Sequence, residues 1–198
     1  MQPASSVAPS VSLPQTAASS RAAFGRQALI VVLGSLLVAV CAHVSIPLWF
    51  TPVPVTLQTF AVLLLGLVLS PRMAASALAL YLLEGMAGLP VFSPNGPVGF
   101  LHIFGPTGGY LLAYPAAASL TGYLRRRVGH GGFAPSIAAA AIGSVLILLA
   151  GASWFAVLTH QSPGAVFALA VAPFLAGDML KVIAAAGAAA GLRRFRRA

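Results

Sequence analysis

Apolar residues fill long, uninterrupted stretches of the chain from about residue 28 onward, and short polar or proline-rich segments separate them. The stretches lack the alternation of a half-buried strand, so they predict helices and argue against a β-barrel. About 20 apolar residues cross a hydrocarbon core about 30 Å thick. Six spans fit the pattern, at residues 28–46, 56–71, 73–90, 107–124, 134–158 and 165–192. The sequence therefore predicts an all-α, multi-pass integral membrane protein.

The composition of the chain supports this prediction. Of the 198 residues, 59% are hydrophobic and only 7% are charged, whereas a soluble domain carries about 25% charged residues. So few charges are not enough to cover a surface that faces water. The chain is expected to lie mainly in lipid.

The last apolar stretch is longer than one span requires. Residues 165–192 would form a helix of about 42 Å, which exceeds the thickness of the hydrocarbon core. Pro173 predicts a break within it, because proline lacks a backbone N–H and clashes with the preceding turn. A helix that restarts there holds Asp178 and Lys181 one to two turns below the outer surface.

The arginines lie at the ends of the predicted spans, at Arg21, Arg26, Arg72, 125–127 and 193–197. With six crossings, all of them fall on one side of the membrane. The positive-inside rule assigns that side, together with both chain termini, to the cytoplasm. The clusters carry no interleaved aromatic residues, so the net charge of +9 does not indicate a nucleic-acid partner.

Three regions follow from these patterns. Residues 1–24 are predicted to be a disordered N-terminal tail, because the first 20 are rich in Ser, Pro and Ala and carry no charged side chain. Residues 25–192 form the six-helix transmembrane domain, and residues 193–198 form a basic cytoplasmic tail. The connections at 47–55 and 91–106 lack Lys and Arg and are rich in Pro or Gly, so we expect shaped caps on the outer side.

Asp178 and Lys181 are the most informative charges in the sequence. Glu84 is the only other acidic residue, and Lys181 is the only lysine. Residues at positions i and i+3 share a helix face, and ionisable residues within a membrane face the bundle interior or a cavity. The pair either pins its helix to its neighbours or forms the polar floor of an outward-facing pocket. The second interpretation is favoured because the shaped connections lie on the same side; a proton relay lacks a chain of partners.

Several classes of site find no support in the sequence. The four histidines are scattered singly, without the spacing of a metal site. Neither a G-x-S-x-G nor an H-E-x-x-H motif is present. A Walker A loop needs lysine followed by Ser or Thr, whereas Lys181 is followed by Val182. The sequence therefore predicts no enzyme, no metal and no cofactor, and any ATP hydrolysis must come from another polypeptide.

Four segments in order along the chain resemble the BioY family, the biotin-binding S components of energy-coupling-factor (ECF) transporters. They are "TPVPVTLQTFAVLLLG" (51–66), "LYLLEGMAGLPVF" (80–92), "FGPTGGYLLAYP" (104–115) and "GDMLK" (177–181). The resemblance implies a six-helix protein of a bacterial or archaeal cytoplasmic membrane that captures biotin from outside. It also implies partners, namely a transmembrane coupling protein and two cytoplasmic ATPase subunits. A self-sufficient secondary transporter, for biotin or another small vitamin, is the alternative.

The resemblance also implies site residues. Asp178 and Lys181 match the family's Gly-Asp-x-x-Lys motif, which meets the polar groups of biotin, although the group that Lys181 meets stays open. Further substrate-binding candidates are Asn95, Tyr110 and Gln58 for hydrogen bonds and Phe92 for an apolar wall.

The resemblance further implies that a strip of small residues on the first helix docks on the coupling protein. S components carry Ala-x-x-x-Ala there, and small residues let helix backbones approach closely. The nearest strip in this chain is Ser35-x-x-x-Ala39 with Gly34 beside it. These three residues are the candidate docking face, and they depart from the family pattern.

Overall fold

The computed structural model of the protein describes residues 16–128 and 132–195. Within these ranges the chain forms seven α-helices, one two-stranded hairpin and one 3-10 helix at Gly99–Phe104. The helices and strands, in chain order, are α1 (Thr16–His43), β1 (Ser45–Leu48), β2 (Thr51–Thr56), α2 (Gln58–Val68), α3 (Pro71–Met86), α4 (Gly108–Arg127), α5 (Phe133–Thr159), α6 (Pro163–Ala170) and α7 (Ala172–Phe195).

Helix α1 begins earlier than the sequence pattern predicts. Residues 16–24 belong to the helix, whereas the sequence predicts that they are part of a disordered tail. Their alanines favour helix, and extending a formed helix is easier than nucleating a new one. Residues 1–15 of the predicted tail, and 196–198 of the predicted basic tail, lie outside the described residues.

In the part of the chain that the structure describes, three helices are long and apolar enough to cross a membrane: Ala22–His43, Phe133–Thr159 and Ala172–Arg194. Helices α2 and α3 are shorter, with 11 and 16 residues, or about 16 and 24 Å. The predicted span at 56–71 is too long because Thr56 belongs to β2, and Ser70 caps α3 by accepting a hydrogen bond from the Met73 N–H at 3.3 Å.

The hairpin corrects the prediction that the fold is all-α. Strands β1 and β2 pair antiparallel, with Ser45 opposite Thr56 and Leu48 opposite Thr51. The register is irregular between Ile46 and Leu48, where Pro47 has no N–H to donate. Both strands of a two-stranded sheet are edges, so prolines are tolerated there. The sequence predicts a shaped cap at 47–55, and the hairpin forms that cap. The pairing of two strands within it is not predicted.

From α3 to α5, helices that are consecutive along the chain run in opposite directions, as contacts at their ends show. The start of α3 at Pro71 packs by the end of α4, and the start of α4 at Gly109 packs by Trp154 near the end of α5. In α7, Asp178 contacts Ser144 of α5, and Arg193 donates to Ser136 nearer the start of α5, so α7 runs opposite to α5. This arrangement brings the arginines that begin α3 and end α4 and α7 to one end of the bundle, and the hairpin lies at the other.

The break in the last apolar stretch is confirmed. Helix α6 ends at Ala170 and α7 begins at Ala172, with Pro173 in its first turn. The break leaves the Leu169 carbonyl without the N–H that a residue other than proline would supply. The Thr51 hydroxyl donates to that carbonyl at 2.8 Å, and the Tyr110 hydroxyl donates to the Ala170 carbonyl at 2.5 Å. Side chains of β2 and α4 thus satisfy the backbone groups that the break frees, as an apolar environment requires.

The strip predicted to dock a partner is buried within the chain. Ser35 is fully buried and donates a hydrogen bond to Glu84 of α3. Gly34 faces Ala77 of α3, and Ala39 belongs to the hydrophobic core. These three residues therefore pack helices of the same chain and do not form an exposed docking face in this structure. Their small side chains allow close packing inside the bundle, which the sequence pattern alone does not distinguish from docking.

Candidate functional site

A cavity lies inside the bundle at the hairpin end. About 510 Å³ between its lining residues holds no protein atoms, counting the part that opens to solvent, and the centre of a water molecule reaches about 40 Å³ of it. The larger volume is within the range of small-molecule pockets, about 300–1,000 Å³. The smaller volume shows that the side chains close tightly around the space.

Strand β2, the 91–106 connection and helices α2, α4, α5 and α7 all contribute to the wall. The side chains that line it with polar groups are Thr56, Gln58, Thr59, Ser93, His102, Thr107, Tyr110, Tyr114, Asp178 and Lys181. The apolar lining comes from Val53, Pro54, Leu111, Ile147, Leu148 and Phe174. Such a pocket suits a small molecule that has a polar head and an apolar body.

Asp178 and Lys181 form an ion pair in the wall of this cavity. Lys181 Nζ lies 2.9 Å from Asp178 Oδ1, and the two residues are 9% and 6% exposed. The Ser144 hydroxyl of α5 donates to Asp178 Oδ2 at 3.3 Å. The sequence leaves open whether the pair pins its helix to a neighbour or lines a pocket. In the structure the pair does both, because it joins α7 to α5 and lines the cavity. An ammonium has three donors, so Lys181 can bond to an acceptor in the cavity beyond its bond to Asp178.

Gln58, at the start of α2, is held by a network of hydroxyl groups. Its Nε2 donates to the Tyr81 hydroxyl at 2.6 Å, and its Oε1 accepts from Thr56 at 2.9 Å and from Tyr114 at 3.5 Å. Tyr81 is fully buried and lies behind the pocket wall on α3. The network fixes the orientation of the amide where it faces the cavity.

Tyr110 also lines the cavity, and its hydroxyl is already committed as a donor. Its proton goes to the Ala170 carbonyl, so toward a ligand the phenol oxygen offers acceptor capacity. Its ring lies 6.1 Å from that of Phe174, which extends the apolar side of the wall.

Phe92 and Asn95 do not line the cavity. Phe92 is 7% exposed and packs between Tyr81 and His102, with ring centroids at 5.4 and 4.9 Å. Asn95 is exposed and donates to the Ser45 hydroxyl at 2.6 Å and to the Ser93 hydroxyl at 3.4 Å. Both residues thus hold the 91–106 connection in place, Phe92 by packing in the core and Asn95 by hydrogen bonds on the exposed side.

Sequence reasoning missed several lining residues, above all Tyr114, His102 and Thr56. Tyr114 is one helical turn after Tyr110, so the same face of α4 carries both. That spacing is the one pattern from which Tyr114 could have been found. Thr56 and His102 reach the cavity through the hairpin and the 3-10 helix, which no periodicity in the sequence indicates.

Metal binding finds no support in the described ranges 16–128 and 132–195, where no three His, Cys, Asp or Glu side chains are grouped. The cavity instead combines a carboxylate, an ammonium, an amide and phenols with an apolar wall. This set can accept N–H groups and donate to a carbonyl or carboxylate, which is the chemistry of recognition rather than of bond cleavage.

Comparisons with known proteins agree with this arrangement. The BioY family model matches residues 14–198. A probable biotin transporter BioY of Pyrococcus horikoshii is 34% identical over 160 residues, covering 81% of this chain and 91% of that protein. The biotin transporter BioY of Thermotoga maritima is 35% identical over 159 residues, covering 80% and 90%.

A solved structure shares the fold. It is the S-component for biotin from an ECF-type ABC transporter, with a TM-score of 0.79 and 21% sequence identity over 87% of this chain and 93% of that one. The similarity of whole chains, in sequence and in helix arrangement, confirms the resemblance first seen in four short segments: this chain belongs to the BioY family.

Proposed function

We propose that this chain is a biotin transporter, acting as the biotin-binding S component of an ECF-type ABC transporter. Relatives that share about a third of its residues are named as biotin transporters, not enzymes, and the solved structure with the same fold is a biotin S-component. The observation that carries the proposal is the buried Asp178–Lys181 pair in the wall of the cavity at the hairpin end.

The chemistry of biotin matches the pocket. Its ureido ring offers two N–H donors and one carbonyl acceptor, and its valerate tail ends in a carboxylate. Asp178 and the oxygen of Gln58 can accept the N–H groups, and Lys181 can donate to the carbonyl or pair with the carboxylate. The apolar lining, which includes Ile147, Leu148 and Phe174, suits the fused ring and the tail.

The membrane topology that accompanies this function has six crossings, by α1 to α5 and by α6 and α7 together. Alternating helix directions and the collection of arginines at one end support it. That end, with both termini, faces the cytoplasm by the positive-inside rule. The hairpin and the cavity then face outward, across the cytoplasmic membrane of a bacterium or archaeon.

The partners in this proposal are a transmembrane coupling protein and two cytoplasmic ATPase subunits, which supply the energy of ATP hydrolysis. Their docking face lies elsewhere than Gly34, Ser35 and Ala39, which are buried. Phe92 and Asn95 act in the proposal by positioning the 91–106 connection above the pocket rather than by contacting the vitamin.

Calorimetric titration of the detergent-purified chain with biotin tests the proposal. We expect saturable, tight binding of about one biotin per chain in the absence of any ATPase, and no heat of binding with thiamine or riboflavin as controls. Absence of biotin binding by protein that remains folded would contradict the proposal.

A further inference from the structure

Positive charge is concentrated where α4 and α7 end. Arg125, Arg126 and Arg127 close α4, and Arg193 and Arg194 lie in the last turn of α7. Arg196 and Arg197 follow in the sequence. Both helices finish at the same end of the bundle, because Leu124 of α4 and Ala185, Ala186 and Ala189 of α7 all belong to or pack against one hydrophobic cluster.

The acidic residues of the chain are too far away to balance this charge. Asp178 precedes Arg193 by 15 residues on the same helix, or about 22 Å. Glu84 follows Arg72 by 12 residues on α3, or about 18 Å. Both distances exceed the Debye length of about 8 Å at physiological ionic strength. The carboxylates therefore leave the arginine end strongly positive.

Helix dipoles offset only a small part of the surplus. Each helix C-terminus carries about −0.5 elementary charge, so α4 and α7 together supply about −1. Five arginines in the described part of these two ends carry five positive charges. The exposed side chains among them, Arg126, Arg127 and Arg194, therefore keep most of their charge for groups outside the chain.

The exposed arginines are arranged for a partner at the membrane surface. Arg126, Arg127 and Arg194 are exposed, whereas Arg125 is buried. Arg127 Nε donates to the Tyr123 hydroxyl at 2.9 Å, and its guanidinium carbon lies 5.1 Å from the centre of the Tyr123 ring. Tyrosines are enriched at the level of lipid headgroups. The contact holds Arg127 along the outer face of α4 and leaves its two terminal nitrogens available for a planar, bidentate acceptor.

We propose that Arg126, Arg127 and Arg194 form a binding surface for the phosphate groups of anionic phospholipids. The assignment of this surface to the cytoplasmic leaflet rests on the topology proposed above. The surface itself is proposed independently of that topology. Polybasic ends of membrane helices attract anionic lipids, and a guanidinium pairs with phosphate through two parallel hydrogen bonds. The surface would hold anionic lipid at the α4 and α7 ends in preference to neutral lipid.

Retained lipid tests the proposal. The full chain is reconstituted in vesicles of equal parts phosphatidylglycerol and phosphatidylcholine, extracted, and analysed by native mass spectrometry for the ratio of the two lipids it retains. We expect phosphatidylglycerol to be enriched for the wild type. The Arg126→Gln/Arg127→Gln variant should lose the enrichment by about fivefold for each arginine removed.

The Arg26→Gln/Arg72→Gln variant is the matched control, because both residues are exposed near the starts of α1 and α3 and the change in charge is the same. Its loss of enrichment should be clearly smaller than that of Arg126→Gln/Arg127→Gln, and biotin titration of both variants should show that they are folded. Equal retention of the two lipids by the wild type, or an equal loss in both variants, would overturn the proposal. Unchanged lipid retention with weaker assembly on a coupling module would assign the arginines to an acidic protein surface and would also overturn it.

Discussion

The Asp178–Lys181 pair lies 2.9 Å apart in a nearly buried wall, where a charge that loses its partner is costly. We predict that Asp178→Asn and Lys181→Ala each weaken biotin binding about 10- to 100-fold, since a hydrogen bond to a charged group contributes about 1.5–3 kcal/mol. Each single change should also destabilise the fold, by about 3–5 kcal/mol, because one buried ion is left uncompensated. Calorimetric titration and thermal unfolding measure the two effects.

The double variant Asp178→Asn/Lys181→Met separates the two roles of the pair. It buries no unpaired charge, so its thermal stability should recover most of the way to that of the wild type. Biotin binding should not recover, because both polar contacts are lost. A double variant that binds biotin as well as the wild type would restrict the pair to a structural role.

Tyr81 acts on the pocket through Gln58. We predict that Tyr81→Phe weakens biotin binding by about five- to tenfold, since it leaves one amide N–H of Gln58 without its acceptor, at a cost of about 1 kcal/mol. Tyr123→Phe is the matched control, because Tyr123 lies on α4 far from the cavity and its hydroxyl accepts from Arg127. Equal biotin affinities for wild type and Tyr81→Phe, measured by titration, would show that Gln58 needs no such support.

At the scale of single residues, the sequence identifies those that interrupt the apolar pattern of the chain. Asp178 and Lys181 are conspicuous because charge is rare in this chain. Tyr114 and Tyr81 are not, since an aromatic residue in an apolar helix is expected to be core. Only the three-dimensional arrangement shows that their hydroxyl groups converge on Gln58.

At the scale of elements, glycine lets the backbones of α2 and α4 approach closely. A Cβ atom at Gly66 would lie 2.7 Å from the Ala118 carbonyl oxygen and 2.8 Å from Thr121 Cβ. We predict that Gly66→Ala lowers stability by about 1–3 kcal/mol, because the two backbones must separate. Thermal unfolding in detergent measures the loss.

Gly187→Ala is the control for this prediction. It also lies inside a helix, and a Cβ atom there would meet nothing within 4 Å. The substitution should be neutral or should stabilise α7 by up to about 1 kcal/mol, since alanine is the better helix former. A similar loss of stability in both variants would refute the close approach as the cause.

The elements differ in how far the sequence predicts them. The break before α7 follows from Pro173 alone, because proline has no N–H to continue the helix. The hairpin is different, because Pro47, Pro52 and Pro54 argue against strands, and only pairing between two edges makes strands tolerable there. The strip Gly34, Ser35 and Ala39 on α1 is buried inside the bundle, because small residues predict close packing without indicating which neighbour they face.

At the scale of the whole molecule, the two ends carry different functional groups. The hairpin end holds the cavity with Asp178 and Lys181, and the other end holds the arginines of α3, α4 and α7. This polarity follows from the alternating directions of the helices. The sequence predicts it through the positions of arginine at every second connection, whereas the depth and shape of the cavity depend on packing that no single segment encodes.

The central claim, that a pocket for biotin opens outward at the hairpin end, is tested most directly by thiol labelling in intact cells. Thr107 lines the cavity and is half-buried, and Arg72 is exposed at the opposite end. Single cysteines are placed at each position in a Cys41→Ala background, because Cys41 is the only native cysteine. A membrane-impermeant maleimide is then added outside, with and without biotin.

We predict that Thr107→Cys is labelled from outside and that biotin slows the labelling, while Arg72→Cys is labelled only after the cells are permeabilised and at a rate that biotin does not change. Labelling of Arg72→Cys in intact cells, or labelling of Thr107→Cys that is indifferent to biotin, would contradict the account.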